Sequence, residues 1–181
     1  MEYQYSKKLR IMHWVVAFFL IFMFFDGVIM NHVLKESANR QFIVDIHKSF
    51  GIVTLLLVIF RLFVRLSSKI PEYVDLSKPF KIAAKLTHCA LYLVMITVSL
   101  SGFIVMMSRE KIMIFGVEIP KLFSVPKALL EISHFIHVNL PYFLAGIVSL
   151  HLFAVLYHHF IKKDKIWEKI KYDSCDSLIL I

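Results

Sequence analysis

Four long apolar stretches, standing apart from one another, constrain this chain more than any other feature. They run roughly over Ile11–Val33, Ile46–Leu66, Ile82–Met107 and Leu140–Ile161. Each is about the 20 residues that a helix needs to cross a bilayer. They are apolar all round rather than along one stripe, as lipid-facing helices must be. Backbone inside lipid has to satisfy its own hydrogen bonds, so the stretches are expected to be helices. The composition agrees: 59% of the 181 residues are hydrophobic and 17 are Phe, more apolar than an ordinary soluble domain. The first stretch is too long for the apolar core of a signal peptide and no small-residue cleavage site follows it, so it is read as a mature helix.

Short connections between four such helices imply an all-α, integral-membrane, up-down-up-down four-helix bundle. The expected connections are an outer loop over Asn31–Asp45 and an inner extended connector over Ser67–Lys81 with Pro71 and Pro79. A second outer loop is expected over Ser108–Val125. After Pro126 the pattern is helical again over Lys127–Val138, and Pro141 kinks or joins that segment to the fourth span. Residues 1–171 form the transmembrane domain and 172–181 a short C-terminal tail.

Charge sets the orientation. Lys7, Lys8 and Arg10 precede the first span. Arg65, Lys69, Lys78, Lys81 and Lys85 flank the inner connector, and Lys162, Lys163, Lys165, Lys169 and Lys171 follow the fourth span. The other two loops carry fewer cations, so both termini are expected on the cytoplasmic side. The net charge of +8 is thus a topology signal bordering apolar spans, not a basic face for nucleic acid. Cys89 and Cys175 form no CxxC or CxxCH, which argues against covalent haem attachment and a thiolate metal site. A disulfide between them is not expected.

Nine histidines occur, several inside the spans, where an ionisable group is costly and therefore a functional candidate. A histidine hydrogen-bonded across helices is the competing reading for any one of them. Spacing favours function. His137 and His151 stand 14 residues apart, which is about 3.9 turns and about 21 Å of rise, so they share a face at two depths. His13 lies at the inner end of the first span and His47 at the outer end of the second. Depth therefore pairs His13 with His151 and His47 with His137, each pair able to grip a haem iron from both sides. Zinc would need about four clustered ligands. Retinal would need a mid-span lysine, and a transporter a broken helix with a midplane charge. Asp26 is the only acidic candidate for such a charge and lies near the outer end.

Other residues are assigned around these pairs. His88, at the depth of His13 and His151, is the rival inner ligand. His134, one turn before His137 and offset by roughly 60°, is the rival outer one. His32 is read as a loop residue. His158 is a candidate quinone or haem-propionate contact, against a plain interfacial histidine. Arg61 and Arg65 are candidate propionate partners, against snorkelling to headgroups. Gly51 and Gly146 provide space beside the histidines or allow close helix contact.

Taken in order, Tyr5-Ser6-Lys7 with Ile11-Met12-His13-Trp14, Ile46-His47-Lys48 with Gly51, Arg61-Leu62 and Arg65-Leu66, Thr87-His88 with Leu91-Tyr92-Leu93, and His137, Tyr142-Phe143, Leu150-His151 and His158-His159 resemble the bacterial cytochrome b561 family over residues 3–170. Pro141 and the tail after Lys171 depart from its pattern. The resemblance implies a dihaem b-type cytochrome of the bacterial inner membrane, with two haem b held by His13, His47, His137 and His151. Compact members are similar to superoxide oxidase, which passes an electron from superoxide to ubiquinone. Related subunits anchor dehydrogenases and hydrogenases to the quinone pool, which is the alternative role. If superoxide is the donor, Lys48, Arg109 and Lys111 are candidates to steer it.

Overall fold

A computed structural model of the chain describes residues 5–69, 77–163 and 170. The expected tail and most of the inner connector lie outside the described residues.

Four long helices form the bundle. Helix α1, Lys7–Val28, starts under Ser6, whose side chain accepts the Leu9 N–H at 3.4 Å, relieving one of the unpaired donors of the first turn. It continues as a π turn, Ile29–Val33. Helix α2 is Arg40–Ser67 and α3 is Lys78–Met107. Pro79, expected in the connector, sits in the first turn of α3, where no backbone donor is needed. Helix α4, Lys127–Tyr157, contains Pro141 and ends in a π turn, His158–Lys162. The expected segment Lys127–Val138 is therefore the first third of one helix. Because Pro141 has no N–H, the carbonyl of His137, four residues earlier, has no i+4 donor.

All four helices are long and apolar enough to cross a membrane, and the chain is a multi-pass membrane protein. Phe18, Leu93, Leu150 and Phe153 are each about two-thirds exposed, at 66%, 66%, 69% and 67%. Such side chains would form an aggregating patch in water, but lipid is their proper solvent. Packing within the bundle uses Val16, Val58, Tyr92, Val94, Met95 and Leu144. Ser49, Thr54, Ser101 and Ser133 are also buried, small residues that let helices approach closely. Consecutive helices pack backbone to backbone along their lengths, whereas α1 and α4 do so sparsely. That seam leaves room between the helices that carry His13 and His151.

The two connections at the end expected to face outward, called the outer end below and its opposite the inner, are tighter than expected. The π turn and the early start of α2 reduce the first to residues 34–39. Within the second lies an antiparallel hairpin, β1 Ile112–Ile114 with β2 Val117–Ile119, in the register Ile112 opposite Ile119. Phe115 and Gly116 turn it with φ of 49° and 80°, the left-handed pair of a two-residue hairpin turn. The Phe115 N–H donates to Ser49 Oγ at 2.9 Å. Ile112 is buried with Met106 and Met107, so the hairpin is fastened to α2 and α3. At the inner end the Trp14 indole N–H donates to the Ile170 carbonyl at 3.3 Å.

Candidate functional site: two histidine pairs

Antiparallel α1 and α2 meet at the outer end. Asp26 lies seven residues before Val33, and His47 lies seven residues after Arg40, so the two reach the same depth. Their side chains join, His47 Nδ1 to Asp26 Oδ2 at 2.7 Å. From α4, His137 is brought to a ring-centre distance of 5.9 Å from His47, and its Nδ1 is 3.0 Å from the Val98 carbonyl on α3. Carboxylate and carbonyl both accept, so both rings donate from Nδ1 and keep the Nε2 lone pair. Both histidines line one cavity of ≈ 400 Å³, within the usual range for a ligand pocket of roughly 300–1,000 Å³.

The inner group is built from three helices. His13 on α1 and His151 on α4 have ring centres 6.5 Å apart, and His88 on α3 stands 5.6 Å from His151. Arg61 on α2 reaches His13 Nδ1 at 3.1 Å and the Tyr92 hydroxyl. A guanidinium only donates, so His13 here accepts at Nδ1 and carries its proton on Nε2. The Arg61 Nε is buried without a partner.

These distances can be tested against haem. A metal–imidazole nitrogen bond is about 2 Å, so two trans imidazoles stand roughly 6 Å apart, centre to centre. The pairs His47–His137 and His13–His151 stand near that spacing, at 5.9 and 6.5 Å, and so does His88–His151, at 5.6 Å. In the outer pair the Nδ1 bonds of both rings leave Nε2 available as the ligating atom. The inner pair fits once Arg61 releases the His13 Nδ1, which would free a guanidinium with a spare buried N–H for a carboxylate. No group of three or more His, Cys, Asp and Glu able to hold a bare metal ion occurs among the described residues.

The remaining candidates are placed as follows. Lys48 is bound to Asp45 at 2.6 Å and its side chain is 11% exposed. Arg109 is exposed and lines the outer cavity, as do His134 and Arg40. Arg40 has a buried Nε without a partner. His158 packs its ring on Phe80 and Tyr157 at the inner end. Arg65 lies over the Tyr92 ring at 5.9 Å. His32 is in the π turn, not a loop, 3.2 Å from the Tyr142 hydroxyl. Two contacts escaped the sequence reading. Asp26 was visible as a costly acid in an apolar span, without its partner. Gly102 lies so close to His137 that a Cβ there would fall 2.5 Å from the ring. Only the rotation of α3 against α4 reveals that contact.

The fold and this site define a class: a four-helix membrane bundle with histidines from different helices paired at two depths. A family model described as prokaryotic cytochrome b561 matches residues 4–172, and the chain belongs to that family. Cytochrome b561 homolog 2 of Escherichia coli (strain K12) is 28% identical over 155 residues, covering 84% of this chain and 82% of the relative. Cytochrome b561 homolog 1 of the same organism is 27% identical over 167 residues, covering 89% and 93%. A Yersinia pestis protein named probable superoxide oxidase CybB is 27% identical over 169 residues, covering 91% and 93%. The family binds haem b and carries out membrane electron transfer.

Proposed function

We propose that this chain is a dihaem cytochrome of the bacterial inner membrane, with both termini cytoplasmic, that oxidises superoxide and reduces ubiquinone. The observation that carries the two-haem reading is the pair of ring spacings, 5.9 and 6.5 Å, at opposite ends of one bundle. His47 and His137 would hold the outer haem, and His13 and His151 the inner. His88 stands beside the inner pair as a neighbour. Residues 1–171 constitute the haem-binding domain. Two bound haem b supply one-electron carriers at two depths.

The overall reaction balances when two superoxide ions each give up one electron and become dioxygen. One ubiquinone takes both electrons and two protons to become ubiquinol. Two features support superoxide as donor: the likeness over nearly whole length to the relative named for that activity, and the Arg40 and Arg109 cations at the outer cavity. Cations beside an entrance raise the local concentration of an anionic substrate. At the inner end, His158 is the proposed quinone contact. A haem held by two histidines would have no ready position for oxygen, which would favour transfer of the electron alone.

The test is purification followed by pyridine haemochrome stoichiometry and superoxide consumption with ubiquinone. Two haem b per chain and quinone-dependent loss of superoxide are expected. One haem or none would overturn the two-site reading. Two haems without superoxide activity would overturn the donor alone, and copurification with an iron–sulfur subunit would then favour a dehydrogenase or hydrogenase anchor.

A further inference from the structure

Asp26 is the one acid in α1. An isolated carboxylate in an apolar span is costly, and this one is engaged. Its Oδ2 lies 2.7 Å from His47 Nδ1, with the two side chains 10% and 15% exposed. Gly27, next to Asp26, also neighbours this ring: a Cβ there would stand in ordinary contact with it, at 3.6 Å. The four paired histidines differ in what touches Nδ1. His137 meets a neutral carbonyl and His13 meets the Arg61 guanidinium. Among the described residues Asp26 is the only anionic side chain bonded to any of them.

We propose that Asp26 is a positioning residue for the outer haem, holding His47 in the tautomer that ligates through Nε2 and lowering the midpoint potential of that haem. It rests on the assignment of His47 as an axial ligand. A carboxylate accepting the far N–H of an axial imidazole fixes its orientation and makes it a more basic ligand. A more basic ligand stabilises the ferric state over the ferrous state. Hydrogen bonding to axial ligands is one of the levers a protein has over haem potential. Arg40 and Arg109 line the same cavity, but no hydrogen bond joins either to the rings of His47 or His137. The direct carboxylate contact therefore dominates at this ligand.

Asp26→Asn separates charge from position, since its amide oxygen still accepts from Nδ1. Redox titration of the purified holoprotein, followed in the visible spectrum, should show two haems retained, one midpoint potential raised and the other unmoved. The same substitution in a His151→Ala background, which keeps only the outer haem, should raise the single remaining potential. Asp26→Ala removes the acceptor too, and outer-haem affinity should fall by about 10–100-fold, the usual cost of losing such a partner. Unshifted potentials in Asp26→Asn, while His47→Ala loses one haem, would overturn the role of Asp26 alone. A lower unfolding temperature without a potential shift would do the same, by reducing Asp26 to a structural contact. Both haems retained in His47→Ala would instead sink the ligand assignment.

Discussion

Gly102→Ala should empty the outer haem site while leaving the helix in place. A Cβ built at Gly102 meets His137 Cε1 at 2.5 Å, Nδ1 at 2.8 Å and Nε2 at 3.1 Å. Carbon atoms in contact settle about 3.5–4.0 Å apart, so the ring would have to move by about 1 Å. That exceeds the roughly 0.5 Å within which a binding constellation must be held. It also strains the 3.0 Å bond from His137 Nδ1 to the Val98 carbonyl. Overpacking of this kind typically costs about 1–3 kcal/mol, or roughly 5–150-fold in affinity for the outer haem. Helix propensity works the other way, since Ala is favoured over Gly by about 1 kcal/mol. The bundle itself should therefore survive. The assay is haem per chain on the purified variant, expected to fall from two towards one. Gly146→Ala is the control, because a Cβ there meets nothing within 4 Å, and haem content should not change. Two haems with an unaltered spectrum in Gly102→Ala would refute the claim that the His137 ring must stay where it is.

Single replacements of His47 or His137 by Ala should each remove one haem, and of His13 or His151 the other, read by pyridine haemochrome; His88→Ala should keep both, and losing a haem there while His151→Ala keeps two would reverse the inner assignment. Superoxide consumption should slow as ionic strength rises, because steering is screened beyond a Debye length of about 10 Å at 0.1 M salt. Arg109→Gln should weaken that salt dependence more than Lys48→Gln, since Lys48 is already bound to Asp45; a rate indifferent to salt would remove the steering role. Ser49→Ala should lower the unfolding temperature, with a loss of about 1 kcal/mol for its bond to the Phe115 N–H, and leave haem content at two.

The membrane fold was legible because span length is a hard constraint that local sequence satisfies or fails. The depth of each histidine followed from the same counting. Fourteen residues on one helix fix a rise and a phase wherever the helix packs, so His137 and His151 stand at two depths, His137 near His47 and His151 near both His13 and His88. Contacts that depend on how one helix is rotated against another were not legible. Asp26 could be counted to the depth of His47, but only the azimuth of α1 aims it at that ring. Gly102 reads in sequence like any small residue in a helix contact. Lys48 counted as a cation near the outer end, and its i−3 acid Asp45 took it as a partner. The hairpin at Ile112–Ile119 was missed because its turn is Phe115-Gly116, not one of the Asn-Gly or Asp-Gly pairs that announce such turns. Pro141 left a kink and a join both open, and α4 runs through it as one helix, since neighbouring helices in a membrane tolerate a missing donor.

The polar groups inside the bundle are costly ones to retain. Lipid offers a stranded charge no solvation, and a mid-span ionisable group is retained where it has work to do. At the outer end His47, His137 and Lys48 have partners on the protein, and among the described residues the Arg40 Nε is buried without one. At the inner end three histidines gather around a guanidinium, with no carboxylate paired to Arg61 among the described residues. The Tyr92 hydroxyl and ring cover part of that charge, but its Nε is left without an acceptor. Replacing this cluster with apolar side chains would be the cheaper way to build a bundle. A macrocycle whose iron takes imidazole nitrogens and whose rim carries carboxylates would answer both excesses together: lone pairs on the histidines, and an uncompensated donor on Arg61.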